Sequence, residues 1–299
     1  MTGIAVTEAS PSLARDLVAL TKPRIISLLL VTTVAPMFVA GSPSWWTVLA
    51  VTVGGYLMAG GANAVNMYLD RDIDDVMART RLRPIPSGRM TPVAVLAFGV
   101  ACAAAATWLL AVTTNVLTAA LALGGFYCYV FIYTRWLKRT SPHNIVIGGA
   151  AGAFPPLVGW AAVTGRVDLA ALYLFLIVFY WTPPHFWALA LLKQRDYGRA
   201  GIPMAPLVWG ERRTMDQMLW YTIVLLALTV LPVAFGAFGW LYLASAVVLG
   251  GLLLRGVLQI RTLDRRGESW TASAWWTYKY SLLYLALLFV AMVVDRAIA

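Results

Sequence analysis

Apolar runs long enough to cross a bilayer alternate with short polar stretches along the whole chain. A hydrocarbon core about 30 Å thick needs about 20 such residues in a helix. Nine segments meet that length, at roughly 24–41, 45–67, 92–112, 115–134, 144–164, 168–192, 215–236, 239–260 and 275–294. Each must be helical, because a lone apolar segment in lipid has to satisfy its backbone groups internally. The predicted fold is therefore all-α, a polytopic membrane protein built as a bundle of nine transmembrane helices. Residues 1–20 read as a cytoplasmic N-terminal segment and 21–299 as a single transmembrane domain. Gly148, Gly149, Gly152, Pro155, Pro156, Pro183 and Pro184 fall inside spans, where they predict close packing and kinks.

The polar stretches are unequal in length and charge. Connections such as 41–44 and 113–114 are little more than turns, whereas about 68–91 and 193–214 form long loops, a length that is usually functional. Thr214-Met-Asp-Gln217 has the pattern of a capping box that would start the seventh span. Nearly all of the 23 basic residues lie in the N-terminal segment and the even-numbered loops. Positive residues mark the cytoplasmic side, so the N-terminus is expected in the cytoplasm and the C-terminus outside, in a bacterial-type plasma membrane. Glu8, Arg15 and Asp16 interrupt the first twenty residues, and no cleaved signal peptide is expected. Trp45, Trp46, Trp136, Trp240, Trp275 and Trp276 fall near the predicted interfaces, where aromatic belts form.

Composition narrows the chemistry. The chain is 61% hydrophobic and 12% charged, far from the quarter charged that a soluble domain carries. Two cysteines, Cys102 and Cys128, sit inside apolar runs, and two histidines, His143 and His185, are too few for a multi-His metal site. The net charge of +10 follows membrane topology rather than one basic stripe, which excludes a nucleic-acid partner.

Four of the 13 acidic residues fall between 70 and 75, at the end of the second span. Asn66, Asp70 and Asp74 are spaced i, i+4, i+8, one stripe of a helix. Two carboxylates a turn apart repel unless a cation lies between them. Mg²⁺ suits them, since it accepts one or two carboxylates and completes its shell with water and phosphate oxygens. Next come Arg79, Arg81 and Arg83, then Pro84, Pro86 and Gly88, and arginine grips phosphate oxygens in a bidentate way. The pattern points to a diphosphate substrate. The plainer alternative, surface aspartates paired with Arg71 and Arg79, explains one pair better than it explains the whole array.

Asn66-x₃-Asp70-x₃-Asp74 with the 79–88 loop resembles the first signature of the UbiA-type intramembrane prenyltransferases. Thr21-Lys22-Pro23-Arg24, Tyr133-Thr134-x₃-Lys138-Arg139-x₄-Asn144, Pro184-His185-Phe186-Trp187 and Asp196-Tyr197-x₃-Gly201-Ile-Pro-Met204 are similar to the haem-farnesylating branch of that superfamily. The resemblance runs from about 20 to 290. It implies nine helices, Mg²⁺ as cofactor, and transfer of a farnesyl group from farnesyl diphosphate to a vinyl group of haem b, giving haem O. By it, Asn66, Asp70 and Asp74 are the catalytic and metal-binding residues, with Asp196 a further metal ligand. Arg79, Arg83, Lys138, Arg139 and Lys193 would bind diphosphate. A haem A synthase or terminal-oxidase assembly factor is the partner it implies. The second Asp-x₃-Asp of most members is missing, since only Asp196 matches, which weakens the case for a symmetric two-metal site.

His185 is expected to bind or orient the haem iron, a role neutral imidazole fills well; the plain reading is a satisfied core residue. His143 is the weaker candidate. Asn144 either caps the fifth span or reaches a phosphate. Tyr127, Tyr129, Phe131, Phe175, Phe179, Tyr180 and Trp187 either pack the core or line a cavity. Three other functions compete. A UbiA-type enzyme with an aromatic or quinone-precursor acceptor should show the second Asp-x₃-Asp. A transporter would leave the diphosphate pattern unexplained. A non-catalytic haem chaperone would not need Asn66, Asp70 and Asp74.

Overall fold

The computed structural model describes residues 12–78 and 80–298. Every regular element among them is helical. Nine of these helices are long and apolar enough to cross a membrane: Pro23–Ala40, Trp45–Leu69, Pro92–Thr113, Val116–Thr140, Asn144–Thr164, Leu169–Leu192, Glu211–Ala234, Trp240–Arg265 and Thr271–Ile298, the first to ninth spans. The chain is an integral, multi-pass membrane protein.

The fourth, seventh, eighth and ninth spans run past the edges of their apolar segments, because helical hydrogen bonding continues where side chains reach the polar interface. The seventh corrects the capping-box expectation. It starts at Glu211, after Gly210 at φ +83°, a backbone state that glycine adopts without a Cβ penalty. The glycine turns the chain into the helix one turn early. Thr214 then lies inside it, donating its hydroxyl to the Gly210 carbonyl at 2.8 Å.

Consecutive spans pack as neighbours, and the first meets the ninth to close the ring. Contacts from the first to the fifth and the sixth to the ninth cross its interior. The second and third spans approach through glycines: a Cβ on Gly61 would stand 2.6 Å from the Gly99 carbonyl oxygen. Such small residues let membrane helices pack backbone to backbone. At the end away from the long loops, Asp295 of the ninth span, 3% exposed, accepts from the backbone N–H groups of Gly239 at 2.7 Å and Tyr242 at 3.0 Å. A carboxylate remote in sequence thus caps the eighth span and meets the positive end of its dipole.

A further helix, Leu13–Thr21, precedes the first span. Leu20 packs with Ala64, Met67 and Val95, and the buried Asp16 accepts from Arg89 Nε at 3.0 and 3.1 Å. The helix stops at Lys22, whose φ of 57° and ψ of 61° are left-handed. Pro23 excludes a right-handed helical residue before it and opens the first span at the position where its missing N–H costs nothing.

Candidate active site

The second span ends at Leu69, Asp70 forms a junction, and a short helix covers Arg71–Val76. Hydrogen bonds from Asp70 N to Asn66 O (2.9 Å) and Asp74 N to Asp70 O (2.8 Å) carry the four-residue register through the break. Asn66, Asp70 and Asp74 are 4%, 1% and 2% exposed. Asp72 lies off this row and faces solvent.

Cations from three parts of the chain converge on the row and its edge. Lys138, near the end of the fourth span, places Nζ 2.5 Å from Asp70 Oδ2. Arg83 Nη1 lies 2.6 Å from Asp74 Oδ2. Its loop folds back because Thr80 donates its hydroxyl to the Asp74 carbonyl at 2.8 Å. Arg139 grips the outer Asp72 with two hydrogen bonds of 2.7 Å, which hold that carboxyl down to about 2. Lys22 donates to Asn66 Oδ1 at 3.0 Å. Burial pushes the Lys22 ammonium down to about 7; Arg83 and Lys138 press the same way, and Asp74 and Asp70 oppose them. Arg79 lies outside the described residues.

Asn66 Nδ2 donates to Asp70 Oδ2 at 2.7 Å and to Thr134 Oγ1 at 3.1 Å. Thr134 reaches it because residues Cys128–Leu137 form a π-helix within the fourth span, in which Thr134 donates to the Tyr129 carbonyl five residues back at 2.8 Å. The wider turn puts Tyr129, Thr134 and Lys138 toward the second span. Tyr129 donates to Asn63 Oδ1 at 3.4 Å. Such π-helical insertions are frequent at functional sites. Spacing arguments gave no role to Lys22, Thr134 or Asn63; Lys22 and Thr134 stood only within stretches quoted for the family resemblance.

Other expected residues lie apart from this cluster. Lys193 ends the sixth span with its ammonium 5.5 Å from the Trp275 ring centre. Asp196 sits on the short helix Gln194–Arg199, and neither pairs with Asp70 or Asp74. Asn144 is fully buried, with no partner for either side-chain polar atom among the described residues, and His143 rests edge-on against Trp209. His185, 6% exposed, is stacked between Trp181 (4.5 Å) and Tyr278 (4.9 Å). Its Nδ1 lies 2.7 Å from Ser281 Oγ. The same hydroxyl lies within hydrogen-bond reach of the Tyr278 carbonyl at 2.7 Å.

Asp70 Oδ1 bears on the metal. It is buried without a hydrogen-bond partner among the described residues, and Arg139 Nη2 approaches only to 3.8 Å. An orphaned carboxylate oxygen, beside Asn66 and one turn from Asp74, is a hard-donor set suited to Mg²⁺. No cluster of three or more acidic, histidine or cysteine side chains exists among the described residues, so most of the shell would come from water and substrate oxygens.

Residues 28–283 match the UbiA prenyltransferase family. The chain belongs to that family. A protoheme IX farnesyltransferase of Roseiflexus castenholzii is 57% identical over all of this chain and 55% of its own length. Another, of Symbiobacterium thermophilum, is 52% identical over 96% of this chain and 95% of its own. The chain thus spans about half the length of the Roseiflexus relative and nearly all of the other. Among solved structures, a digeranylgeranylglyceryl phosphate synthase superposes with a TM-score of 0.75 at 15% identity, covering 96% of this chain and 99% of its own. A UbiA homologue of Archaeoglobus fulgidus bound to DMAPP and Mg²⁺ gives 0.71 at 15%, covering 95% and 100%. This chain shares its fold with both solved structures.

Proposed function

We propose that this chain transfers a farnesyl group from farnesyl diphosphate to a vinyl group of haem b, giving haem O and releasing diphosphate. The observation that carries the transfer chemistry is the convergence of Lys22, Arg83 and Lys138 on Asn66, Asp70 and Asp74 at the mouth of the bundle. The acceptor rests on relatives about half identical that carry the name protoheme IX farnesyltransferase.

Asn66, Asp70 and Asp74 would hold Mg²⁺, which when bound supplies charge neutralisation for the diphosphate leaving group. Lys22, Arg83, Lys138 and Arg139 bind the diphosphate oxygens and stabilise the charge that grows on them as the allylic C–O bond breaks. Asn66 aligns the row through its bonds to Asp70, Thr134 and Lys22. The apolar bundle takes the farnesyl tail and keeps water from the electron-poor allylic carbon. A haem vinyl carbon bonds to farnesyl C1, water adds its hydroxyl to the neighbouring carbon, and its proton leaves to solvent. No covalent enzyme intermediate is needed. His185 orients the haem iron, a role that neutral imidazole fills. Positive-inside logic puts the N-terminus and the active-site mouth in the cytoplasm, at a plasma membrane. Haem O would then pass to a haem-oxidising enzyme or to terminal-oxidase assembly.

The test is an assay of membranes with haem b, farnesyl diphosphate and Mg²⁺, weighing the extracted haems. A haem heavier by farnesyl plus water, absent with EDTA and in Asp70→Ala, supports the reading. Unchanged haem b with farnesyl diphosphate consumed on a quinone-type acceptor overturns the acceptor and leaves the chemistry.

A further inference from the structure

Among the described residues, Lys22 is the only non-glycine with a positive φ. Its left-handed backbone is unfavourable for an L-residue and persists only where the surroundings impose it. Helices often end in this state, but on glycine. Pro23 by itself favours an extended residue before it, so the left-handed turn needs another cause. That cause lies on the second span. Asn63, 6% exposed, donates Nδ2 to the Thr21 carbonyl at 2.9 Å, one of the carbonyls that the end of helix Leu13–Thr21 leaves without a helical partner. This carbonyl belongs to the peptide that joins Thr21 to Lys22. Holding it fixes the plane from which the Lys22 side chain departs. Thr21 is pressed against the same span: its Oγ1 lies 2.8 Å from the Tyr56 hydroxyl, and a Cβ on Gly60 would stand 2.9 Å from its Cγ2. Asn66, three residues beyond Asn63, receives the Lys22 ammonium at 3.0 Å. Residues three apart share a helix face, so the second span holds Lys22 by its backbone and by its charge.

From this we infer that Asn63 is a positioning residue for prenyl transfer: it holds the junction peptide so that Lys22 stays aimed at the diphosphate site. The inference rests on the proposed diphosphate chemistry and adds how one of its cations is kept in place. A lysine on a free N-terminal segment would have to be ordered anew at each encounter with substrate, and a lysine clamped beforehand loses less freedom on binding. Asn63 touches no substrate atom in this role. Its Oδ1 accepts from the Tyr129 hydroxyl at 3.4 Å, and Tyr129 lies in the π-helical stretch that leads to Lys138. One amide thus ties the lysine of the N-terminal junction to the segment that presents the lysine of the fourth span. The competing role is packing alone, in which the amide only satisfies two buried polar groups and the lysine needs no help.

The experiment is a double-mutant cycle on the detergent-solubilised full chain. It is read by calorimetric titration with inorganic diphosphate and Mg²⁺, and by kcat and KM in the haem mass assay. Asn63→Leu roughly keeps the side-chain volume and removes both hydrogen bonds. It should weaken diphosphate binding about tenfold and lower kcat by about 10–100-fold, with the KM for haem b unchanged. In a Lys22→Met background the same substitution should change either quantity by less than about twofold, because the lysine it positions is gone. In an Arg83→Met background its full effect should remain. Equal affinity and kcat in wild type and Asn63→Leu overturn the inference. So does a penalty undiminished by Lys22→Met, which assigns Asn63 to packing. If Asn63→Leu does not fold, Asn63→Ala carries the same cycle; failure of both to fold makes Asn63 a residue of the fold and overturns the inference. The proposed acceptor fails separately: a wild type that binds diphosphate and farnesylates no haem removes that acceptor, and the binding cycle still decides the role of Asn63. A wild type that binds no diphosphate removes both.

Discussion

Removing the Asp70 carboxylate takes away the 2.5 Å partner of Lys138, whose side chain is 14% exposed, together with the orphaned oxygen suited to a cation. Asp70→Ala is expected to abolish haem O formation, and chelation of Mg²⁺ from the wild type should do the same until the ion is returned. Both are read by the haem mass assay. Lys138→Met and Lys22→Met each remove one cation from the leaving group, so kcat should fall by about 10²–10³; Lys138→Met also strips the buried Asp70 carboxylate of its ion-pair partner and should lower the thermal midpoint as well. His185→Ala should weaken haem binding in an absorption titration and leave farnesyl diphosphate binding intact; equal haem affinity would return His185 to a packing role. Asp70 and Asp74 were legible because their spacing is local. Lys22 was not, since 44 residues separate it from Asn66 and only the ring of spans brings them together.

Element ends decide where these side chains sit. The π-helical stretch Cys128–Leu137 shifts the fourth span's register so that Thr134 and Lys138 both reach the second span. Hydrophobic periodicity does not record such a shift, because every face of this helix is apolar or in contact with a neighbour. The same holds for Asp295, which reads as one charge near the end of the last span and is the cap of the eighth. Asp295→Ala leaves two buried N–H groups unsatisfied and should cost about 1–3 kcal/mol each at most, seen as a lower melting temperature in detergent with turnover chemistry unchanged. Gly99→Val would drive a side chain against Val65, where even a Cβ stands 2.8 Å from Cγ2. Overpacking of this kind typically costs about 1–3 kcal/mol, and the same melt measures it.

At the scale of the whole molecule, the basic residues at the active-site end predict sidedness. Single cysteines introduced at Ser87 or Ser269 of a variant lacking Cys102 and Cys128 should react with an impermeant thiol reagent only from the cytoplasmic side, and one at Ser42 only from the outside. The opposite pattern would invert the topology and, under the proposed function, put the diphosphate on the wrong side of the membrane for a cytoplasmic substrate. The nine spans and the Asn66, Asp70 and Asp74 row were determined by the sequence alone, and loop charge set the expected orientation. The length of each apolar run, loop charge and helical repeat are each set by neighbouring residues. Only the tertiary structure decided which cations meet that row. It brought Lys22 in from the N-terminal junction, turned Lys138 inward through a π-helix, and set Lys193 against Trp275 instead. Those pairings depend on how the ring of helices closes, and the pattern within one helix does not encode the helix beside it.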